Sequence, residues 1–377
     1  MKFGMFLLMQ NPEFISSAEM YKNAIEQVEF ADKIGLDYVV LAEHHFSSYG
    51  FLPNPLMLIP KLADRAPHVR FSTAVVVLPL RNPIQLAEEI AMVDHLTGGR
   101  LEVGFGTGYQ QYEFTRFQKP LAENRAMFEE SLDVIINALT NAPFHHSGKY
   151  YEIPETTTLP RPLQNNPHPP LWRATSSLET MADTIRRGMK VITGGTASSI
   201  DRVINNWHIF QDAVELSGKG WPQEFIVQRG VYVSDTEEDA RAQLHQAVWH
   251  TRTARGLSSN TLPVEAGRAM TEQTARVEIE DNPDTLYRDW FFGTPEIVAE
   301  KLRRLTQYTG VTYFNGSFSL GGLPQDKILR SMELFATKVM PLLRDWEPDQ
   351  ASYPRRADAP DPQGYYAWEE GMPTTFG

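Results

Sequence analysis

The chain has 377 residues, 42% of them hydrophobic and 22% charged, a globular composition with enough apolar material for a full core. Asp and Glu number 47 against 35 Lys and Arg, a net charge of −12, which disfavours nucleic-acid partners because phosphate backbones select clustered cations. With no cysteine, disulfides, thiolate metal sites and thiol nucleophiles are excluded, and a reducing cytoplasm is the expected location.

No stretch reaches the roughly 18 apolar residues of a membrane span. Lys2-Phe3-Gly4-Met5-Phe6-Leu7-Leu8 is short and stops at Gln10-Asn11-Pro12, so it reads as a first β-strand rather than a signal peptide. Further strands are predicted at Tyr38–Ala42, Phe71–Leu78, Leu101–Phe105, Leu171–Thr175, Val191–Thr193, Phe225–Val233 and Thr312–Phe318. Helical periodicity lies between them, near 18–34, 55–65, 83–96, 123–139, 177–187, 198–216, 236–249 and 295–308, with a last helix at 324–343. Ser17-Ala18-Glu19 and Thr294-Pro295-Glu296 read as helix starts, and Gly35, Gly98-Gly99 and Gly310 as stops.

Eight strand–helix alternations are what an α/β (β/α)8 barrel, the TIM barrel, requires. A doubly wound open sheet with a second domain is the other reading, but no linker divides the chain, so one domain is expected over residues 1–346. Residues 140–170 hold seven prolines and no periodic pattern. Residues 250–290, after the seventh strand–helix unit, are polar and broken and end in Trp290-Phe291-Phe292. They are expected to form an insertion, either a mobile lid over the barrel mouth or a static surface or dimer contact. Residues 347–377 form an irregular C-terminal tail with five prolines, yet Tyr353, Tyr365, Tyr366, Trp368 and Phe376 make it unusually aromatic.

Barrel active sites gather at the C-terminal ends of the strands. After the second strand stand Glu43-His44-His45-Phe46. Neighbouring strand residues point to opposite faces, so His44 and His45 are poorly placed to share an ion, and no other metal-ligand spacing occurs. Structural histidines and an acid–base histidine at the mouth are the two remaining readings. Gly104-Phe105-Gly106-Thr107-Gly108-Tyr109 follows the fourth strand, where glycines admit a flat ligand or simply a tight corner. Ala174-Thr175-Ser176-Ser177 precedes a helix, as an anion site or an ordinary cap. Arg125 opens another helix against its dipole, and so either serves an anion or is solvated. Phe46, Tyr49, Phe51, Phe105, Tyr109, Tyr112 and Phe114 are aromatics that would make an apolar pocket if clustered at the mouth.

Together these segments resemble the bacterial luciferase-like flavin-dependent monooxygenases (the alkanal monooxygenase type). The resemblance rests on residues 1–8, Gly35-Leu36-Asp37, Glu43-His44-His45-Phe46, Asn54-Pro55, Thr73-Ala74-Val75-Val76-Val77-Leu78-Pro79, residues 98–104, Arg125, Ala174-Thr175-Ser176 and Gly293-Thr294-Pro295-Glu296. It runs to about residue 343 and is densest over the first 130.

The resemblance implies a TIM barrel, reduced FMN delivered by a separate flavin reductase, and dioxygen as co-substrate. A flavin hydroperoxide would then oxygenate a small apolar substrate, by aldehyde or ketone oxidation or by hydroxylation. His44 would be the acid–base residue, with His45 as a secondary candidate. Ala74 and Val75 would form a strained, often cis, peptide against the isoalloxazine, and Gly106 and Thr107 would lie beside the cofactor. Arg125, Thr175, Ser176 and Ser177 would hold the phosphate, and Phe46, Tyr109 and Tyr112 would line the substrate pocket. A homodimer, with no metal, membrane or nucleic-acid partner, is part of the same expectation. Gly106 and Thr107 stand where luciferases proper carry Cys and Arg, which points to ordinary oxygenation rather than light emission. Deazaflavin-dependent hydride transfer on the same fold, and a non-catalytic flavin-binding relative, are the alternatives. His44 disfavours the latter.

Overall fold

The computed structural model describes residues 1–274 and 283–368. Its barrel strands are β1 (Lys2–Leu7), β2 (Tyr38–Leu41), β3 (Arg70–Thr73), β4 (Val103–Gly106), β5 (Leu171–Ala174), β6 (Lys190–Thr193), β7 (Phe225–Val233) and β8 (Tyr313–Ser317). The helices are α1 (Ser17–Lys33), α2 (Pro55–Ala63), α3 (Pro83–Leu96), α4 (Gln111–Arg116), α5 (Asn124–Thr140), α6 (Leu178–Arg186), α7 (Ile200–Ser217), α8 (Glu237–Ala242), α9 (Leu244–Ser258), α10 (Pro283–Asp289), α11 (Pro295–Tyr308) and α12 (Gln325–Leu334). Among the described residues no helix is long and apolar enough to cross a membrane.

The strands pair in parallel in the order β3-β2-β1-β8-β7-β6-β5-β4, and the third strand closes the ring. Arg70–Thr73 pairs with β2, while its continuation Val76–Val77 pairs with β4 through Val76 and Phe105. The Ala74–Val75 peptide at the break is cis. The single predicted strand at 71–78 is therefore two short pieces that face different neighbours. The fold is the expected TIM barrel.

Alternation along each strand builds two cores. On β1, Phe3, Met5 and Leu7 pack against the helices, whereas Phe6 and Leu8 join Val40, Trp172, Ile226 and Tyr313 inside the barrel. The N-terminal end of the interior is filled by one carboxylate. Glu102 accepts from Tyr38 Oη at 3.0 Å, Trp172 Nε1 at 2.6 Å, Lys190 Nζ at 2.8 Å and Arg70 Nε at 3.0 Å. Burial opposes its charge, but Lys190 and Arg70 outweigh that and hold its pKa below the ordinary carboxylate value. Within the barrel, ligand space is left at the opposite end.

Most helix boundaries follow the sequence signals, with Ser16 rather than Ser17 capping α1. Three regions differ. Residues 140–170 contain an antiparallel hairpin, Phe144–Ser147 with Glu152–Thr156. The Trp290-Phe291-Phe292 end of the expected insertion runs into a short strand, Phe291–Gly293, paired with Val231–Val233 of β7. The stretch 250–290, expected to lack periodic structure, begins inside α9, contains the small hairpin Val264–Glu265 with Arg268–Ala269, and ends with α10. Residues 275–282 of that stretch lie outside the described residues. The predicted helix at 236–249 is two helices, α8 and α9, and α9 continues to Ser258, beyond the predicted end, because His250, Thr253 and Gly256 interrupt the apolar pattern of its buried face between Leu244 and Leu257. The tail packs on α11, where Tyr365 is buried and its hydroxyl donates to Lys301 O at 3.0 Å. Phe376 lies outside the described residues.

Candidate active site

A cavity of about 770 Å³ opens at the C-terminal mouth of the barrel, within the range of small-molecule sites. His44, Ala74, Val75, Gly106, Thr107 and Tyr109 line it, together with Tyr49, Glu113, Ala174, Ile192 and His250.

The segment after β2 is tied down by its backbone: Glu43 N–H donates to Val75 O at 3.3 Å and His44 N–H to Leu52 O at 3.2 Å. The His44 ring then meets Glu113 of α4, with Nδ1 3.0 Å from Oε1. Glu113 is 1% exposed, and the same oxygen accepts the His45 amide at 2.8 Å. A carboxylate oxygen has only lone pairs to offer, so Nδ1 carries the hydrogen and Nε2 is left as the acceptor. Nε2 has no partner among the described residues, on a ring that lines the cavity. The Gln110 amide lies 3.2 Å from Nδ1 through its own Nε2; the shorter contact to the charged Glu113 sets the tautomer, and Gln110 Oε1, buried with no partner among the described residues, is the amide atom that a protonated Nδ1 calls for on that side. The Tyr49 and Tyr109 rings flank the imidazole with centroids at 5.0 and 6.1 Å. Tyr109 exposes its ring but turns its hydroxyl inward to Gln110, and burial raises the pKa of both tyrosines, which keeps them neutral.

The two glycines of β4 have different causes. A Cβ on Gly104 would fall 2.0 Å from Thr73 O, so that glycine serves the fold. A Cβ on Gly106 would come 2.5 Å from Val75 Cγ2, so glycine lets the cavity wall close against Val75.

Arg125 and the residues after β5 meet at the N-terminus of α6. Ser177 Oγ donates to Thr180 Oγ1 at 2.8 Å, Ser177 N–H to Thr175 Oγ1 at 3.4 Å, and the exposed Arg125 guanidinium to Thr180 Oγ1 at 3.4 Å. Ser176 is exposed on the same loop, and Ala174 joins it to the cavity wall. Arg125, Thr175, Ser176 and Ser177 lie beside the cavity rather than among its lining residues, and hydroxyls, an arginine and helical N–H groups are the kinds of group that hold an anion.

His45, Phe46 and Tyr112 are not brought to the cavity. His45 turns to Glu43, with Nε2 and Oε1 3.0 Å apart, and stacks edge-on against Phe117. Phe46 is 47% exposed, and Tyr112 donates to its carbonyl at 3.0 Å. These aromatics cover the outside of the wall.

Sequence reasoning missed Glu113, Gln110, Gln10 and His250. His250 projects from α9 into the cavity, with Nδ1 2.9 Å from Gln10 Nε2, and its ring packs tilted against Tyr49 and edge-on against Trp290. Burial, helped by repulsion from His44, lowers its pKa to about 3, so it is neutral at any physiological pH. Single polar residues on a short helix or an irregular loop carry no periodic signal. Only their position after a barrel strand could have flagged them.

The family profile of the luciferase-like monooxygenases matches residues 1–313. The oxygenase component of the flavin-dependent trigonelline monooxygenase of Acinetobacter baylyi is 26% identical over 356 residues, 93% of this chain and 98% of that one. An uncharacterised protein of Sinorhizobium fredii, y4vJ, is 31% identical over 346 residues, 91% of this chain and 98% of that one. Among solved structures, the monooxygenase RslO1 of Streptomyces bottropensis superposes with a TM-score of 0.79 at 25% identity, covering 91% of this chain and 99% of its own. Barrel, mouth cavity and similarity along nearly the whole chain agree, and the protein belongs to the luciferase-like monooxygenase family.

Proposed function

We propose that this protein is the oxygenase of a two-component system, which takes reduced FMN from a separate flavin reductase and uses dioxygen to oxygenate a small, largely apolar organic molecule. The observation that carries this reading is the His44–Glu113 pair, which presents an acceptor nitrogen to a cavity that Val75, Gly106 and Ala174 also line.

The residues present fit FMN. Val75, Gly106 and Ala174 offer a wall without protruding polar groups, and the cradle of Arg125, Thr175, Ser176 and Ser177 suits a phosphate. Reduced flavin, when bound, supplies the electrons for dioxygen activation. The chain contributes placement, dryness and one proton. Phe6, Leu8 and Tyr49 exclude water from the inner cavity, which protects a reactive oxygen species from hydrolysis. His44 Nε2 takes or returns the proton, while Glu113 fixes the ring and stabilises its protonated form. His45 supports this placement through its amide bond to Glu113 rather than through its ring.

A homodimer in the cytoplasm belongs to the same reading. Its support is the cysteine-free composition and the exposed Met57, Met92 and Leu96 on α2 and α3, apolar side chains that a second copy would cover.

The test is oxygen uptake by the full-length chain with enzymatically reduced FMN and a panel of aldehydes, ketones and aromatic compounds. Product formation that needs both reduced FMN and dioxygen is expected for at least one class, with His44→Ala lowering turnover roughly 100-fold or more. Turnover that survives His44→Ala would remove the assigned role.

A further inference from the structure

The second histidine in the cavity is held in a defined protonation state. Gly321 N–H donates to Gln10 Oε1 at 2.8 Å, and a backbone amide can only donate, so the Gln10 carbonyl is fixed on that side. The Gln10 amide nitrogen therefore faces His250, 2.9 Å from Nδ1. Since an amide nitrogen also only donates, Nδ1 is the acceptor, and the proton of the neutral ring sits on Nε2.

That N–H has no partner among the described residues, and it is not one of the buried polar atoms left without one, so Nε2 is open to the cavity that the ring lines. His44 and His250 thus carry opposite tautomers on either side of Tyr49, whose ring lies 5.0 Å from one and 5.5 Å from the other. His44 offers a lone pair and His250 a hydrogen.

The barrel order separates the two walls. Val75, Gly106 and Ala174 stand at the ends of β3, β4 and β5, whereas Gln10, Gly321 and His250 follow β1, β8 and β7 on the opposite arc. We infer that His250 is a substrate-orienting residue, whose Nε2–H donates to the carbonyl oxygen of a neutral ketone or aldehyde held between it and the flavin wall. This rests on the monooxygenase reading for the flavin wall and names the substrate class it would take. A site built to hydrogen-bond one polar atom discriminates against a ligand of the same shape that lacks it, because the donor is then left unpaired.

The experiment titrates the full-length chain calorimetrically with acetophenone and with ethylbenzene, similar in shape but without a carbonyl, in the presence and absence of FMN. Acetophenone is expected to bind roughly tenfold or more tightly, and His250→Phe to abolish that preference by weakening acetophenone alone. Lack of a preference in the wild type, whether both ligands bind or neither does, overturns the inference. So does a preference that survives His250→Phe, or a loss of FMN affinity in that variant in place of ketone affinity.

A measurement independent of any variant uses histidine labelled with ¹⁵N. The His250 signals should show hydrogen on Nε2 and shift with acetophenone but not with ethylbenzene, and a hydrogen on Nδ1 would overturn the assignment. Failure of FMN to bind would sink the monooxygenase reading while leaving the ketone preference measurable by itself.

Discussion

Replacing Glu113 by glutamine removes a negative charge and keeps the shape, so it isolates what the carboxylate does for His44. The Nδ1–Oε1 separation is 3.0 Å and the carboxylate is 1% exposed, so solvent screens the pair little. A hydrogen bond to a charged group contributes about 1.5–3 kcal/mol and one between neutral groups about 0.5–1.5 kcal/mol. The difference, about 1–1.5 kcal/mol, corresponds to roughly a tenfold loss in turnover if Glu113 acts by stabilising protonated His44. Removing the imidazole itself should cost roughly 100-fold or more. Because Glu113 touches the reaction only through His44, the two losses should not multiply: Glu113→Gln is expected to change little in a His44→Ala background. The assay is steady-state turnover with reduced FMN, alongside thermal melts to verify folding. A Glu113→Gln loss of the same factor in both backgrounds would refute the reasoning, because the carboxylate would then act independently of the histidine.

Arg125→Ala should weaken reduced-FMN binding about ten- to a hundredfold, measured by equilibrium titration, since a charge-assisted contact of roughly 1.5–3 kcal/mol is lost. Gly106→Ala places a Cβ 2.5 Å from Val75 Cγ2, so urea unfolding should show a loss of about 1–3 kcal/mol and FMN titration a weaker complex. His250 has a folded pKa of about 3 against 6.5 for the free group, so the unfolded chain binds the extra proton first. Its contribution is complete above pH 6.5 and is lost as pH falls toward 3, by about 1.4 kcal/mol for each pH step of one. His250→Phe, which cannot titrate, should therefore lose less stability than the wild type between pH 6 and pH 4 in denaturant melts. An identical pH slope for the two proteins would contradict this assignment.

Much of the fold is legible in the sequence because a parallel barrel buries both faces of its strands. Ala74-Val75-Val76-Val77 and Phe225-Ile226-Val227 are continuous apolar runs, and Pro295 and Gly35 punctuate helices by local chemistry. Interruptions are harder to read, since the break of the third strand is set by its neighbours: Thr73 and Val75 must both clear β4, which only Gly104 and Gly106 allow. In the site, His44 was legible as a titratable residue at a strand end. Glu113 was not, because a lone carboxylate in Tyr109-Gln110-Gln111-Tyr112-Glu113 looks like any exposed helix residue until the fold buries it. His250 was hidden for the same reason: with Thr253 and Gly256 it interrupts the apolar pattern of its helix, and nothing local marks it as buried. Phe46 and Tyr112 erred in the other direction: aromatic residues near a mouth need not face it.

The central claim concerns the fate of dioxygen, and isotope transfer tests it most directly. The full-length chain is supplied with reduced FMN under ¹⁸O₂ and presented with a carbonyl substrate, and the product is weighed by mass spectrometry. One ¹⁸O atom per product molecule is expected, with the second atom in water, and the label should vanish in step with turnover in His44→Ala. Product formed without ¹⁸O, or formed equally well under anaerobic conditions, would contradict the account.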